Sequence, residues 1–355
     1  MKIAILSVGD YKHITLISKY TQLFEDNDIS YNIICTDRYN SGINREKVLS
    51  YSIPTNINKL KKIYYFLKFH NWAKKIIGNN YDFIVVWNEN TALLFFDLLL
   101  KKYKKKYCVN IRDVDFLNQR LLNIIRSKVI KNSRFSTYCS TAKLDFPKNY
   151  NYVLMRSINL DILKSVPKKE NIREKNKPIR IVYIGKVRFN DANEEIIKSF
   201  GNDKRYELWF IGSGSEELKK FESRYNNLHL VGSYEPEETA NYLANADVIN
   251  SYFGTKVLGY ERMSSIRFSY APYIHIPVIV GVNTNMENEG NKYGFAYGYG
   301  NCSIDEEADN FYEWYSKIDF DKFVSGCEKY CLDAKKTDER FVKLVEEIIK
   351  ENDEK

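Results

Sequence analysis

The sequence predicts an α/β protein built from two tandem Rossmann-like domains. Three observations carry this. Short apolar strand-like runs alternate with longer amphipathic segments, the alternation stops at a polar stretch and then restarts, and 355 residues suffice for two domains of ordinary size.

In the first half the strand-like runs are Ile3 to Val8, Tyr31 to Cys35, Phe83 to Val86, Tyr107 to Ile111 and Phe135 to Cys139, with helical segments between them. Residues 166–178 turn to Pro, Lys, Glu and Asn, the composition of a linker. The pattern then resumes with Ile179 to Ile184, Glu207 to Ile211, Leu228 to Val231, Val248 to Ser251 and Val278 to Val282. Phe311 to Ile349 is helical by periodicity. The expected organisation is therefore a domain over 1–165, a linker over 166–178, a second domain over 179–330 and a C-terminal helix over 331–355.

Bulk properties narrow the function classes. A hydrophobic content of 44% fits a globular chain. Met1-Lys2 leads into Ile3 to Val8, too brief for a signal sequence, and the longest apolar block, Ala92 to Leu100, is interrupted by Asp97 and spans half a bilayer. Six scattered cysteines without a Cys-x-x-Cys pair read as reduced thiols in a cytoplasmic protein, with Cys327 and Cys331 on one helical face. The net charge of +8 is divided unevenly: residues 1–165 carry 27 Lys and Arg against 13 Asp and Glu, while residues 166–355 carry 27 against 33. A basic half suits an anionic membrane, an anionic substrate or nucleic acid. The acidic half, and the lack of any nucleic-acid motif, argue against the last.

The sharpest local feature is the end of the strand at Ile184. Gly185 lets the backbone approach a ligand, and Lys186 and Arg188 place two cations at the carboxyl end of a parallel strand, where open α/β sheets bind phosphates. Gly212-Ser213-Gly214 before a helix offers backbone amides to a phosphate or makes a tight strand-to-helix turn. It lacks the third glycine of a dinucleotide fingerprint, and Val8-Gly9-Asp10-Tyr11 after the first strand does not supply one either. In Lys59 to Ile77, Lys61, Lys68 and Lys75 recur at heptad spacing among Tyr64, Tyr65, Phe66, Leu67, Phe69 and Trp72, and five lysines follow within Lys101 to Lys106. Such a helix suits a membrane interface, or is a core helix with a solvated face. The four histidines, His13, His70, His229 and His275, lack metal spacing, and no nucleophile elbow is present.

Taken in order, the strand ending in Gly185-Lys186-x-Arg188, Phe210-Ile211-Gly212-Ser213-Gly214, Val231-Gly232-Ser233-Tyr234, Ala246-Asp247, Arg267 to Ala271, Ile276 to Val280 and Asn283 to Met286 resemble the donor half of GT-B glycosyltransferases. They are most similar to bacterial capsule and exopolysaccharide enzymes related to retaining family 4. Tyr81 to Glu89 and Asn110-Ile111-Arg112-Asp113 resemble the acceptor half. The resemblance implies two domains facing each other across a cleft. Two positions depart from the pattern: Tyr270 stands where the family places a ribose-binding carboxylate, and His275 where it places a glycine.

What the resemblance implies is transfer of a sugar from a nucleotide diphosphate sugar to a lipid-linked glycan, at the inner face of the cell membrane, with no metal or other cofactor. Lys186 and Arg188 would hold the diphosphate with help from Arg267, and Gly185, Gly212, Gly214, Tyr234 and Tyr270 would line the donor site. Gly9, Asp10, His13, Asn88, Glu89 and Arg112 would face the acceptor. Asp113-Val114-Asp115 spells a metal-binding Asp-x-Asp, but in this setting Asp113 is expected as a base or hydroxyl anchor on the acceptor side. The rival readings are a non-catalytic nucleotide- or glycan-binding protein, motivated by Tyr270, and a nucleic-acid-binding protein, motivated by the basic first half.

Overall fold

The computed structural model describes residues 1–11, 14, 16–38, 46–112, 119–141, 147, 150–172, 177–254 and 259–354. They form two compact units: Met1–Cys139 with Leu144–Met155 and Thr337–Lys355, and Ser140–Lys143 with Arg156–Lys336.

The first unit runs β1 (Lys2–Asp10), α1 (Ser18–Asp26), β2 (Ser30–Asp37), β3 (Val48–Ser52), α2 (Lys59–Ile77), β4 (Phe83–Trp87), α3 (Glu89–Leu94), α4 (Phe96–Lys101), β5 (Tyr107–Ile111), α5 (Arg120–Asn132), β6 (Phe135–Tyr138) and β7 (Tyr152–Leu154). Its strands make one parallel sheet in the order β3-β2-β1-β4-β5-β6-β7. β4 and β5 are buried along their whole length, which is why Phe-Ile-Val-Val-Trp and Tyr-Cys-Val-Asn-Ile show no polar alternation. Successive strand residues serve opposite faces. Ala4, Leu6, Ile84 and Val86 pack with Phe69 of α2, Leu98 of α4 and Val129 of α5. Ile3, Ile5, Phe83 and Val85 pack with Tyr20 and Phe24 of α1 and with Phe341 and Val345 near the chain's end.

The second unit continues with α6 (Leu160–Leu163), β8 (Ile179–Ile184), α7 (Asn190–Phe200), β9 (Tyr206–Ile211), β10 (Leu228–Val231), α8 (Thr239–Ala244), β11 (Val248–Asn250), α9 (Ile266–Tyr273), β12 (Val278–Gly281), α10 (Asn285–Tyr293), β13 (Ala296–Tyr299), α11 (Glu307–Ser316) and α12 (Phe320–Asp353). Its parallel sheet has the order β10-β9-β8-β11-β12-β13. Val182, Ile184 and Val280 face α8, α9, α10 and the first part of α12, whereas Ile181, Tyr183 and Phe210 face α7 and α11. In both sheets the strand order reverses beside the first strand. That creates a crevice at the carboxyl ends between β1 and β4, and another between β8 and β11.

The observed boundaries differ from those drawn on composition. The main run of the second unit begins at Arg156, ahead of the expected boundary, and the stretch expected to link the domains, 166–178, is partly core, with Val166 buried and Ile172 packed against the same cluster. Two apolar side chains anchor a segment whose average composition is polar. The final helical stretch is two helices, and α12 begins at Phe320 rather than 331. Its last part belongs to the first unit, through Phe341 and Val345 and the ion pair of Lys19 with Asp338 at 2.9 Å.

Candidate active site

The site follows from how β8 ends. Its residues from Ile181 to Ile184 are buried, and the chain turns at Gly185 with φ 101°, where a Cβ would meet nothing within 4 Å. The loop that follows is fixed at every backbone group it needs. Gly185 N–H donates to the Ile211 carbonyl at 3.0 Å and Val187 N–H to the Ser213 carbonyl at 2.9 Å. The Tyr183 hydroxyl donates to the Lys186 carbonyl at 3.2 Å and accepts from Arg188 N–H at 3.4 Å, while Asn193 Nδ2 holds the Arg188 carbonyl at 2.8 Å. Val187 is buried, so Lys186 and Arg188 on either side of it project into solvent. Among the described residues no carboxylate pairs with either cation.

Arg267 lies directly behind this loop. It is the second residue of α9, which starts where the Ser265 side chain accepts the Phe268 N–H. The residue is only 7% exposed. Its guanidinium sits 3.7 Å from the centre of the Tyr183 ring and 5.5 Å from that of Phe253, and its Nη1 donates to the Ile184 carbonyl at 3.2 Å. Its Nε is buried with no hydrogen-bond partner, and among the described residues no carboxylate neutralises it. A buried ion without a counter-charge costs several kcal/mol, roughly, after relaxation. Two exposed cations on the loop after β8 and one buried cation behind it therefore lack a carboxylate partner among the described residues.

Gly212 and Gly214 serve the same loop differently from a phosphate cradle. A Cβ at Gly212 would lie 2.0 Å from the Gly185 carbonyl oxygen, and one at Gly214 would lie 2.4 Å from that of Val187. The two glycines let the β8 and β9 loops lie backbone against backbone. The Gly214 N–H donates to the Glu216 carboxylate at 2.7 Å, so the chain's own carboxylate takes the amide a phosphate would use. Hydrogen bonds from the Glu216 and Gly214 amides hold that carboxyl below its ordinary range.

Tyr234 is half-buried, with its ring 5.5 Å from Tyr242. Burial raises its hydroxyl pKa, and the charge of Arg267 partly offsets that. Tyr270 is buried in the core with Phe268 and Ala271, and burial pushes its hydroxyl far above the usual range. The position given to a ribose carboxylate by resemblance is thus a packed tyrosine. His275 takes a left-handed φ of 55°, the backbone that explains a glycine there in similar chains, and its Nε2 lies 3.0 Å from Glu328.

In the first unit, Gly9, Asp10, Asn88 and Glu89 flank the crevice between β1 and β4. Asp10 is buried and accepts the Arg38 N–H at 3.0 Å. Gly9 N–H donates to the Ser7 hydroxyl at 3.0 Å. The Asn88 side chain caps α3 by accepting the Thr91 N–H at 3.0 Å. Glu89 is buried and pairs with the equally buried Arg126 at 3.4 Å, a contact that its place in the sequence did not reveal. Arg112 is half-buried just past β5, and its carbonyl accepts the Cys139 thiol. A buried relay missed by sequence reasoning runs from the Tyr20 hydroxyl through Thr137 to Asn110, at 3.0 and 2.9 Å. His13, Asp113 and Asp115 lie outside the described residues. Among the described residues no three His, Cys, Asp or Glu side chains group as metal ligands. All six cysteines are free.

No protein-family model and no curated protein matches the chain by sequence. Solved structures do match in shape. Sucrose-phosphate synthase from Thermosynechococcus elongatus is 13% identical with a TM-score of 0.71, over 98% of this chain and 99% of that one. HepE of Anabaena in complex with UDP is 8% identical with a TM-score of 0.70, over 98% and 100%. UDP-GlcNAc 2-epimerase from Methanocaldococcus jannaschii is 16% identical with a TM-score of 0.58, over 97% and 99%. At these identities the likeness shows the fold, a GT-B arrangement of two Rossmann-like domains with a C-terminal helix.

Proposed function

We propose that the chain is a glycosyltransferase that moves a sugar from a nucleotide diphosphate sugar to a lipid-linked glycan, with retention of stereochemistry and without a metal ion. The observation that carries this reading is Arg267, a buried guanidinium with no carboxylate partner among the described residues, behind a loop that presents Lys186 and Arg188. A diphosphate supplies the missing charge. In the reaction the bond between the anomeric carbon and the phosphate oxygen breaks, and negative charge grows on that oxygen. Fixed cations aimed at it stabilise the transition state more than the bound substrate. The acceptor hydroxyl forms the new bond to the anomeric carbon and gives its proton to the departing phosphate. An inverting reaction needs a separate base, for which Asp113 is the candidate. The Anabaena HepE structures with UDP and UDP-glucose support a nucleotide sugar as the donor class.

Tyr270 favours a second reading, a protein that binds nucleotide or glycan without turnover, because its buried side chain replaces the ribose carboxylate. Incubation with UDP-, GDP-, dTDP- and ADP-sugars, with and without a detergent-dispersed polyprenyl diphosphate saccharide, separates the readings. Release of nucleoside diphosphate that requires the acceptor, and persists in EDTA, is the expected result. Binding without turnover would establish the second reading, and acceptor-independent conversion of the sugar would point to an epimerase.

A further inference from the structure

α2 buries one face and leaves the opposite one apolar. Phe69, Ala73 and Ile77 enter the core, whereas Leu60, Ile63, Tyr64 and Leu67 stand in water, Leu60 with 78% of its surface exposed. Their spacing of i, i+3, i+4, i+7 makes them one stripe over the first two turns. A surface helix of a globular protein carries polar residues there. The stripe does not stand alone. α2, α4 and α5 pack on the same face of the first sheet, and Phe96 of α4 and Leu121 and Ile124 of α5 are exposed as well. These three helices hold seven of the ten large apolar side chains exposed among the described residues.

Charge identifies what covers this face. α2 has six lysines and no carboxylate, and α5 has Arg120, Lys128 and Lys131 besides the buried Arg126, and no carboxylate. Lys61, Lys68 and Lys75 are exposed, and the Lys68 ammonium lies 4.5 Å from the centre of the Tyr64 ring, at the border of the stripe. The one acid of α4, Asp97, is taken up by His70 at 2.9 Å and Lys74 at 2.5 Å, contacts that also tie α4 to α2. The result is a fixed, net cationic face with an apolar centre. A second protein would need a strongly acidic and apolar surface to match it. A leaflet containing anionic lipids offers both chemistries at once.

We infer that the outer face of α2, α4 and α5 docks on an anionic membrane surface, with Leu60, Ile63, Tyr64 and Leu67 entering the headgroup boundary and the flanking lysines pairing with lipid phosphates. The inference rests on the proposed lipid-linked acceptor for its purpose, but its test requires no turnover. Co-sedimentation of the whole chain is measured with phosphatidylcholine vesicles and with phosphatidylcholine–phosphatidylserine vesicles. Binding to the anionic vesicles alone, reversed by high salt, is expected. Each lysine at the surface is worth about fivefold in partitioning, so Lys61→Glu/Lys68→Glu/Lys75→Glu lowers binding by roughly 100-fold or more. Ile63→Ser/Leu67→Ser lowers it by about tenfold without changing charge. All five positions are exposed, so the melting temperature of both variants stays that of the wild type. Equal binding to neutral vesicles, no binding to either, or a wild-type dimer that Ile63→Ser/Leu67→Ser dissociates would overturn the inference, the last by assigning the face to a second copy of the chain. Turnover on dispersed acceptor without vesicle binding would sink this inference and leave the proposed reaction standing.

Discussion

Replacing Arg267 with methionine separates a ligand-binding arginine from a structural one, because the two roles give opposite balances of stability and affinity. In the ligand-free protein the guanidinium gains a stack on Tyr183, worth about 2 kcal/mol when desolvated, and a charged hydrogen bond to the Ile184 carbonyl, worth about 1.5–3 kcal/mol. Against these stands the several-kcal/mol cost, roughly, of burying an ion without a counter-charge. Methionine fills similar volume and needs no partner. The unfolding free energy of the Arg267→Met variant, from urea denaturation, should therefore lie within about 2 kcal/mol of wild type. Affinity should behave otherwise. Removing one partner of a buried, hydrogen-bonded charge pair costs about 2–5 kcal/mol, or roughly 30- to several-thousand-fold in Kd. Isothermal titration with whichever of UDP, GDP, dTDP and ADP the wild type binds best reads this directly. Unchanged affinity would refute the reasoning. So would a loss of more than about 4 kcal/mol of stability, since that would make Arg267 a structural residue.

Arg188→Ala should lower kcat by about 10²- to 10³-fold and leave the melting temperature unchanged, because the side chain is exposed; activity surviving the change would remove Arg188 from the reaction. Glu89→Ala should destabilise the fold by about 3–5 kcal/mol, because it removes one partner of a buried ion pair, which denaturant unfolding checks; a stable variant with lost acceptor use would speak for Glu89 in the site. Burial depresses the His275 pKa from its ordinary 6.5, outweighing the raising effect of the Glu328 hydrogen bond, and Lys168 adds to the depression. The unfolded chain then takes up the proton first. Its contribution to stability is intact above pH 6.5 and is lost as the pH falls through the lower folded value. Asparagine tolerates the left-handed backbone, so His275→Asn should lose less stability than wild type between pH 7.5 and 5.5 in urea unfolding; equal losses would exclude His275 as the source.

The central strands were legible because burial on both faces leaves long apolar runs, as in β4, β5 and β8. The three strands that escaped notice are edges. β3 and β7 close the first sheet and β13 closes the second. β3 is half-exposed with Ser50 and Ser52 in it, β7 has three residues, and β13 contains a glycine. An edge strand needs less apolar surface, so its pattern fades. The cations of the site were legible because a glycine turn after a buried strand marks a carboxyl edge. Their electrostatics were not. That Arg267 is buried with no counter-ion among the described residues and that Glu89 pairs with Arg126 depend on groups brought together across tens of residues, and that Glu216 occupies the Gly214 amide depends on the exact geometry of a tight turn. The sequence offered α2 as an interface helix or a core helix, and which of its apolar residues face out could not be told apart for a related reason. Leu60, Ile63, Tyr64 and Leu67 look like core residues until the fold shows that Phe69, Ala73 and Ile77 fill that role.

The most direct test of the central claim is a crystal structure of the chain with its best-bound nucleoside diphosphate. The account predicts the diphosphate at the carboxyl ends of β8 and β11, its oxygens within hydrogen-bond distance of the Gly185–Arg188 loop and facing the guanidinium of Arg267. A diphosphate bound elsewhere, with Arg267 still lacking an anion, would contradict it.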